Sequence, residues 1–283
     1  MNIKFLSLLS LLFFTSLSFS QDNPTTEYNP SKKGKFYLYW GWNRADYTKS
    51  DITFSGPDHN FTLYNVSAHD NPQDKFGFKE HLNPGRMTIP QTNFRIGYFL
   101  NDNYSISFGF DHMKYVVDRP QDVTINGHIS DGSTFDGTYN NETITVEDDF
   151  LQFEYTDGLN YINLELNRND HLKFIKTNPK TVYFNSIVGV GAGVLFPRTN
   201  ATFLGREKND KFSVSGFGAS AKVGLNITFL KHFFVQSELK GGYINMLNSK
   251  TTSDPANKAK HHFFFLQRNI VFGAHFRLFK PKQ

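Results

Sequence analysis

The chain has no cysteine among its 283 residues, which excludes a disulfide framework and a lipoprotein anchor. It also lacks any uninterrupted apolar run of about eighteen residues beyond the N-terminus, so it has no candidate transmembrane helix. Lys and Arg do not cluster with stacking aromatic residues, so the net charge of +4 does not indicate nucleic-acid binding. Stability must therefore come from a packed core or from closed strand pairing.

The first twenty residues predict an export signal. Lys4 supplies the charged start, residues 5–14 form an apolar centre, and Ser18 and Ser20 are small enough for signal peptidase. A short membrane anchor is the alternative, but the apolar run is too short to span a bilayer comfortably. We predict a signal peptide at 1–20, a flexible periplasmic lead-in at 21–33 and an outer-membrane β-barrel at 34–283.

What the chain has in abundance is aromatic residues, 31 Phe and 13 Tyr, in alternating runs. In residues 92–117, apolar positions such as Phe94 and Ile96 alternate with polar or small ones on both sides of a turn at 101–103. A period of two over this length predicts a β-hairpin with one apolar face. That face points inward in a soluble sandwich and outward to lipid in an outer-membrane barrel.

The order of connections favours the barrel. Long polar segments follow the first, third, fifth and seventh predicted strands, and short turns follow the second and sixth, as in outer-membrane barrels. We predict an all-β fold, an eight-stranded antiparallel transmembrane β-barrel with long outer loops at 46–90 and 118–149. The connection at 167–180 is longer than this pattern requires. The predicted strands are 36–43, 92–100, 104–117, 151–166 with a bulge near Asp157 and Gly158, 182–194, 217–227, 233–240 and 263–279.

If the apolar positions face lipid, the alternate positions face the lumen. An eight-stranded barrel has an interior that side chains just fill, and charges of both signs in that space must pair or stay hydrated. The sequence therefore predicts a plugged lumen crossed by ion pairs and not an open pore. The predicted lumen charge network comprises Arg95, Asp111, Glu165, Lys222, Glu238, Lys240 and Arg277.

The last predicted strand carries a recognisable pattern. Gly273, Phe276 and Leu278 stand at positions that resemble the terminal β-signal of outer-membrane barrels, although residues 279–283 follow it. The chain resembles the small eight-stranded outer-membrane barrels, the OmpA-barrel, OmpX and OmpW-like group, in the form seen in Bacteroidota, whose style the Ser20–Gln21 junction fits. The resemblance implies a bacterial outer-membrane location, contact with outer-membrane lipid and lipopolysaccharide, and no catalytic residues.

Catalytic and metal sites find little support in the sequence. Asp111 and His112 are adjacent on a strand, so they point to opposite faces and cannot form a dyad. We predict no catalytic residue, no metal site and no cofactor. In the first loop Asp58, His59, His69, Asp70 and His81 match no ligand spacing, and His261 and His262 have the same status.

The two long outer loops exceed what a bare membrane anchor requires. We therefore predict a non-enzymatic accessory or structural subunit that binds a partner through its loops or its barrel wall. A larger envelope protein complex is the candidate partner. The alternatives are a lipid A-modifying barrel enzyme and an OmpW-like conduit for small hydrophobic molecules. The conduit would need an apolar lumen, which the predicted charges oppose.

Overall fold

The computed structural model describes residues 31–71, 91–173, 182–206 and 209–278, without the side chains of 203, 209 and 210. These residues form seventeen β-strands, numbered β1 to β17 in chain order. Within the described ranges no helix is long and apolar enough to cross a membrane.

Eight of the strands form a ring. Each pairs with two neighbours in the order β1, β5, β6, β11, β12, β15, β16, β17, and β17 pairs back onto β1 from Phe276 opposite Phe36 to Phe265 opposite Tyr47. All of these pairings are antiparallel, so the predicted all-β antiparallel barrel is confirmed. The strands are β1 (Phe36–Tyr47), β5 (Thr92–Phe99), β6 (Tyr104–Met113), β11 (Leu159–His171), β12 (Val182–Leu195), β15 (Gly216–Phe229), β16 (Phe233–Lys250) and β17 (Lys258–Phe276).

The register shows how the ring closes. Following paired residues from Leu38 through every strand in turn leads to Phe264 on β17, whereas Leu38 itself pairs with Ala274, ten residues away. This stagger is the shear of a barrel whose strands are tilted by about 35–45° to its axis. An interior of this size is filled by side chains.

The outer face of the ring is an apolar belt. Phe108 is 54% exposed, Val190 58% and Leu225 60%, while their neighbours along each strand point inward and are buried or half-buried. Alternation of this kind, with large apolar side chains on the exposed side, is the arrangement of a transmembrane β-barrel. Other members of the belt are Leu38, Trp40, Ile96, Ile106, Leu164, Leu166, Val188, Val223, Leu239, Leu266, Ile270 and Phe272.

The long connections at one end of the ring fold into an ordered assembly, which we call the outer module. The upper part of β17, Lys258 to His261, pairs with β2, and the sheet continues from β2 to β3, β8 and β9. A second sheet has the order β14, β13, β10, β7, β4. The first sheet adds β2 (Ser50–Gly56), β3 (His59–Val66), β8 (Gln121–Ile129) and β9 (Gly137–Val146), and the second contains β4 (Ala68–His69), β7 (Val116–Val117), β10 (Leu151–Glu154), β13 (Arg198–Phe203) and β14 (Asn209–Phe212).

The two sheets of the outer module enclose a hydrophobic core. Phe54 of the first sheet packs edge-on against Phe153 of the second with ring centroids 5.8 Å apart, and Phe61 lies 6.0 Å from Phe150. The same cluster of buried residues continues down to Tyr161 and Phe265 inside the barrel. The outer module therefore caps the barrel with apolar packing.

The structure corrects several predicted boundaries. Residues 151–166 are not one bulged strand, because β10 belongs to the second sheet of the module and the chain joins the barrel only at β11, after Gly158 with a φ of 120°. The predicted polar loop at 118–149 contains the β8–β9 hairpin. Strands β16 and β17 are longer than predicted, so the last outer connection shrinks to 251–257. The connection between β11 and β12 comprises residues 172–181, and residues 174–181 lie outside the described residues. The predicted signal peptide and residues 21–30 also lie outside the described residues.

Candidate functional site

A cluster of charged side chains fills the middle of the barrel. It consists of the three cations Arg95, Lys222 and Lys240 and the three anions Asp111, Glu165 and Glu238, which come from β5, β15, β16, β6, β11 and β16. All six lie at inward positions of their strands, and every side chain in the ion pairs is at most 3% exposed. We call this set the lumen ion cluster.

Glu165 is the hub of the lumen ion cluster. Its carboxylate lies 3.1 Å from Arg95 Nη2, 2.8 Å from Lys222 Nζ and 2.8 Å from Lys240 Nζ. Lys222 also donates to Glu238 at 2.7 Å, and Lys240 also donates to Asp111. Three positive and three negative charges thus cancel within one connected set, which is how charges are tolerated away from water.

Neutral polar groups surround the lumen ion cluster. Arg95 Nε donates to Tyr39 Oη at 3.1 Å, and Arg95 Nη2 donates to Asn163 Oδ1 at 2.8 Å. Glu238 accepts from Gln236 at 2.6 Å and from Asn269 at 3.1 Å. These bonds fill donor and acceptor positions that the ion pairs leave open, so the network is bound on several sides.

Arg277 does not join this set. It lies just beyond the end of β17, is exposed, and takes part in no ion pair within the described residues. A Cβ placed on Gly34 would lie 3.3 Å from its Nη1 atom, which locates Arg277 at the barrel end where the chain enters. The structure therefore does not place Arg277 in the lumen ion cluster, because β17 ends at Phe276 and the residue beyond it is exposed.

The N-terminal segment lies at the same mouth of the barrel, the one away from the outer module. Lys32 is 5% exposed, its ammonium donates to Asn185 Oδ1 at 3.1 Å, and burial lowers its pKa to about 8. Residues 31–33 belong to the predicted flexible lead-in. They bind the Asp102 carboxylate in the β5–β6 turn through Ser31 Oγ at 2.8 Å and two backbone N–H groups. These bonds hold the pKa of Asp102 below its usual range. The segment thus fastens Lys32 into the mouth.

We expect Asp102→Asn to loosen this closure. The amide has one acceptor oxygen and no charge, so the hydrogen bonds from Ser31, Lys32 and Lys33 weaken. Tryptic cleavage after Lys33 should become about tenfold faster at neutral pH, because cleavage follows the open fraction of the segment. Asp122→Asn, which removes the charge from an exposed carboxylate bonded to Thr145, is the control and should leave that rate unchanged. An unchanged rate in Asp102→Asn would mean that Asp102 does not anchor the segment.

The residues considered for catalysis lie apart. Asp111 points into the lumen ion cluster, whereas His112 lies on the other side of the wall and its Nδ1 is 2.8 Å from Asn160 Oδ1. In the outer module His261 contacts Tyr155 and Ser50 at 2.9 and 3.4 Å, but it is 1% exposed within the hydrophobic core. No substrate could reach this contact without the core opening.

The acidic and histidine residues of the first loop also separate. His59 Nδ1 lies 2.8 Å from Asp58, which in turn pairs with Arg206. His69 pairs with Asp118, and Asp70 accepts from the Ala45 N–H at 2.9 Å. His81 lies outside the described residues. In the described part of the chain no three His, Asp or Glu side chains come close enough together to hold a metal ion.

A groove runs across the outside of the barrel wall beneath the outer module, and we call it the wall groove. Its volume is about 1500 Å³. Its floor follows outward positions of β1, β17, β16 and β15, where Trp42 pairs with Ile270, Ile270 with Ser237, and Ser237 with Leu225. Polar residues border its upper side, namely Arg44, Asp46, His69, Asp70 and Arg268.

Comparison with known proteins gives a fold likeness at low identity. No family model matches the chain, and no curated protein matches it. Among solved structures, the outer membrane protein OprG from Pseudomonas aeruginosa is 12% identical with a TM-score of 0.39, covering 87% of this chain and 97% of its own. Outer membrane protein AlkL is 13% identical with a TM-score of 0.39, covering 94% and 100%. Ail of Yersinia pestis is 10% identical with a TM-score of 0.28, covering 85% and 99%.

Proposed function

We propose that this chain is a non-enzymatic outer-membrane β-barrel that serves as an accessory or structural subunit and binds a partner protein through its outer module. The apolar belt supports the membrane location, because large exposed apolar side chains around a closed ring require lipid. The outer module carries the proposal. A bare anchor needs no second sheet and no hydrophobic core above the membrane, whereas ordered loops on a rigid scaffold are where binding surfaces lie.

The strand at the edge of the module gives the partner an accessible surface. β9 is the last strand of its sheet, and most of its side chains are exposed, including Thr138, Asn140, Glu142 and Thr143. Such an edge offers unpaired backbone groups and a free face. The opposite end of the barrel offers short turns, such as residues 230–232 between β15 and β16.

The partner is expected on the side of the outer module. A photo-crosslinking amino acid replaces Thr138 or Thr143 on β9 in one set of cells and Leu230 in the β15–β16 turn in another. After gentle solubilisation of the outer membrane and purification of the chain, we expect a discrete larger adduct from the β9 positions only. Recovery of the uncrosslinked chain alone from every position would remove the support for an accessory subunit, and adducts from Leu230 alone would move the partner to the periplasm.

The barrel interior argues against a conduit through the lumen. The lumen ion cluster, the apolar cap above it and Lys32 below it occupy successive levels of the described interior. In planar bilayers we expect no steady conductance from the purified chain, since ions would have to cross a buried, charge-balanced cluster. A large and steady conductance would contradict a filled lumen and would favour the conduit. A lipid A mass spectrum that changes when the gene is deleted would favour the enzyme.

A further inference from the structure

The wall groove combines an apolar floor with an arginine, Arg44, that forms no ion pair in the described ranges. Ile270 on its floor is 54% exposed, Leu225 60% and Leu239 43%, and the small Ser237 stands among them. At its upper border Arg44 donates to the Asn43 carbonyl at 3.0 Å and to Gln91 Oε1 at 3.4 Å, and none of the ion pairs in the described ranges involves it. An exposed guanidinium of this kind is available to an outside anion.

The other charges at this border are already committed. Arg268 pairs with Asp46 at 2.7 Å, and His69 pairs with Asp118. Asp70 accepts from the Ala45 N–H and from the Gln91 amide, and burial raises the pKa of its carboxyl group. Arg44 feels the Asp70 carboxylate electrostatically, but it is the arginine at this border that forms no ion pair in the described ranges. Lys114, just beyond β6, adds positive charge near Arg44 and is likewise outside the ion pairs of the described ranges.

We propose that the wall groove binds a phosphorylated membrane lipid, with the phosphate on Arg44 and an acyl chain along Ser237, Leu239 and Ile270. The inference uses the membrane location proposed above and is independent of the partner. Ala68 to Asp70 overhang the groove at the level of Arg44, so a headgroup would sit between the outer module and the wall while its chains follow the apolar belt downward. Arginine suits this task because its planar donors match phosphate oxygens.

Lipid titrations followed by native mass spectrometry test the proposal. The purified full chain in detergent micelles is titrated with diphosphoryl lipid A, with the same lipid lacking its phosphates, and with inorganic phosphate alone. We expect the phosphorylated lipid to bind about tenfold more tightly than the phosphate-free lipid, and inorganic phosphate not to displace it. Equal affinities for the two lipids, or full displacement by inorganic phosphate, would overturn the assignment of a lipid groove.

Two variants locate the site, each with a matched control elsewhere on the wall. Arg44→Gln should weaken binding of diphosphoryl lipid A about tenfold, whereas Arg168→Gln, an exposed outward arginine paired with Asp170 on β11, should not. Ser237→Phe should fill the groove and lower the affinity for both lipids, whereas Ser186→Phe on β12 should not. All four side chains point out of the barrel, and a heat-dependent shift on gels confirms folding. Equal effects of a variant and its control would refute the site, while the partner experiment above would be unaffected.

Discussion

Replacement of Glu165 by glutamine should destabilise the folded barrel by about 3–5 kcal/mol. Glu165 is the one anion that contacts all three cations of the lumen ion cluster. The amide would leave Arg95, Lys222 and Lys240 facing two carboxylates, so a net positive charge would be buried without compensation. The free energy of unfolding is measured by urea titration in lipid vesicles, with folded and unfolded chains separated by gel mobility.

Charge balance can be separated from loss of a hydrogen bond. Glu142→Gln removes the same charge from an exposed position of β9 and should change the free energy of unfolding by less than about 0.5 kcal/mol. Adding Lys240→Met to Glu165→Gln restores neutrality, leaves the pairs Arg95–Asp111 and Lys222–Glu238, and should recover a large part of the lost stability. A Glu165→Gln variant as stable as the original chain would show that water reaches the cluster.

The sequence is sufficient to predict the barrel because its signal is local and repeated. A period of two places Arg95, Asp111 and Glu165 on one face of their strands, and a closed ring turns that face inward. What the sequence does not contain is the pairing of particular charges, since the contacts of Glu165 depend on the shear of the barrel. Arg277 was misplaced for a simpler reason, because the alternation was extended past the last paired residue, Phe276.

The outer module was harder to predict because its signals are weak or interrupted. Val123 and Ile125 alternate with polar residues on β8, but the acidic and glycine-rich surroundings favoured a loop. Leu151 and Phe153 continue the alternation of β11 with a change of phase, which suggested a bulge and is in fact a change of sheet. Such a change is decided by tertiary packing of Phe153 and not by local pattern.

Replacement of Phe153 by alanine should unfold the outer module and leave the barrel intact. Phe153 is fully buried, and its ring packs edge-on against Phe54 across the two sheets. Loss of a buried phenylalanine costs about 3–5 kcal/mol through lost transfer energy and the cavity left behind. The second sheet is held to the first mainly by the hydrophobic core in which Phe153 is central, whereas the barrel retains its closed ring of strand pairs.

Two measurements on the same sample separate the module from the barrel. In Phe153→Ala we expect rapid protease cleavage between β8 and β10 from the outer side, while the heat-dependent gel shift of the barrel persists. Val214→Ala removes a side chain that is 63% exposed and should alter neither result. If Phe153→Ala abolishes the gel shift as well, the apolar cluster that runs from the module to Phe265 joins module and barrel into one cooperative unit. If instead cleavage is unchanged, other contacts hold the second sheet in place. The outer module then does not unfold separately from the barrel, and partner binding cannot be assigned to it as an independent unit.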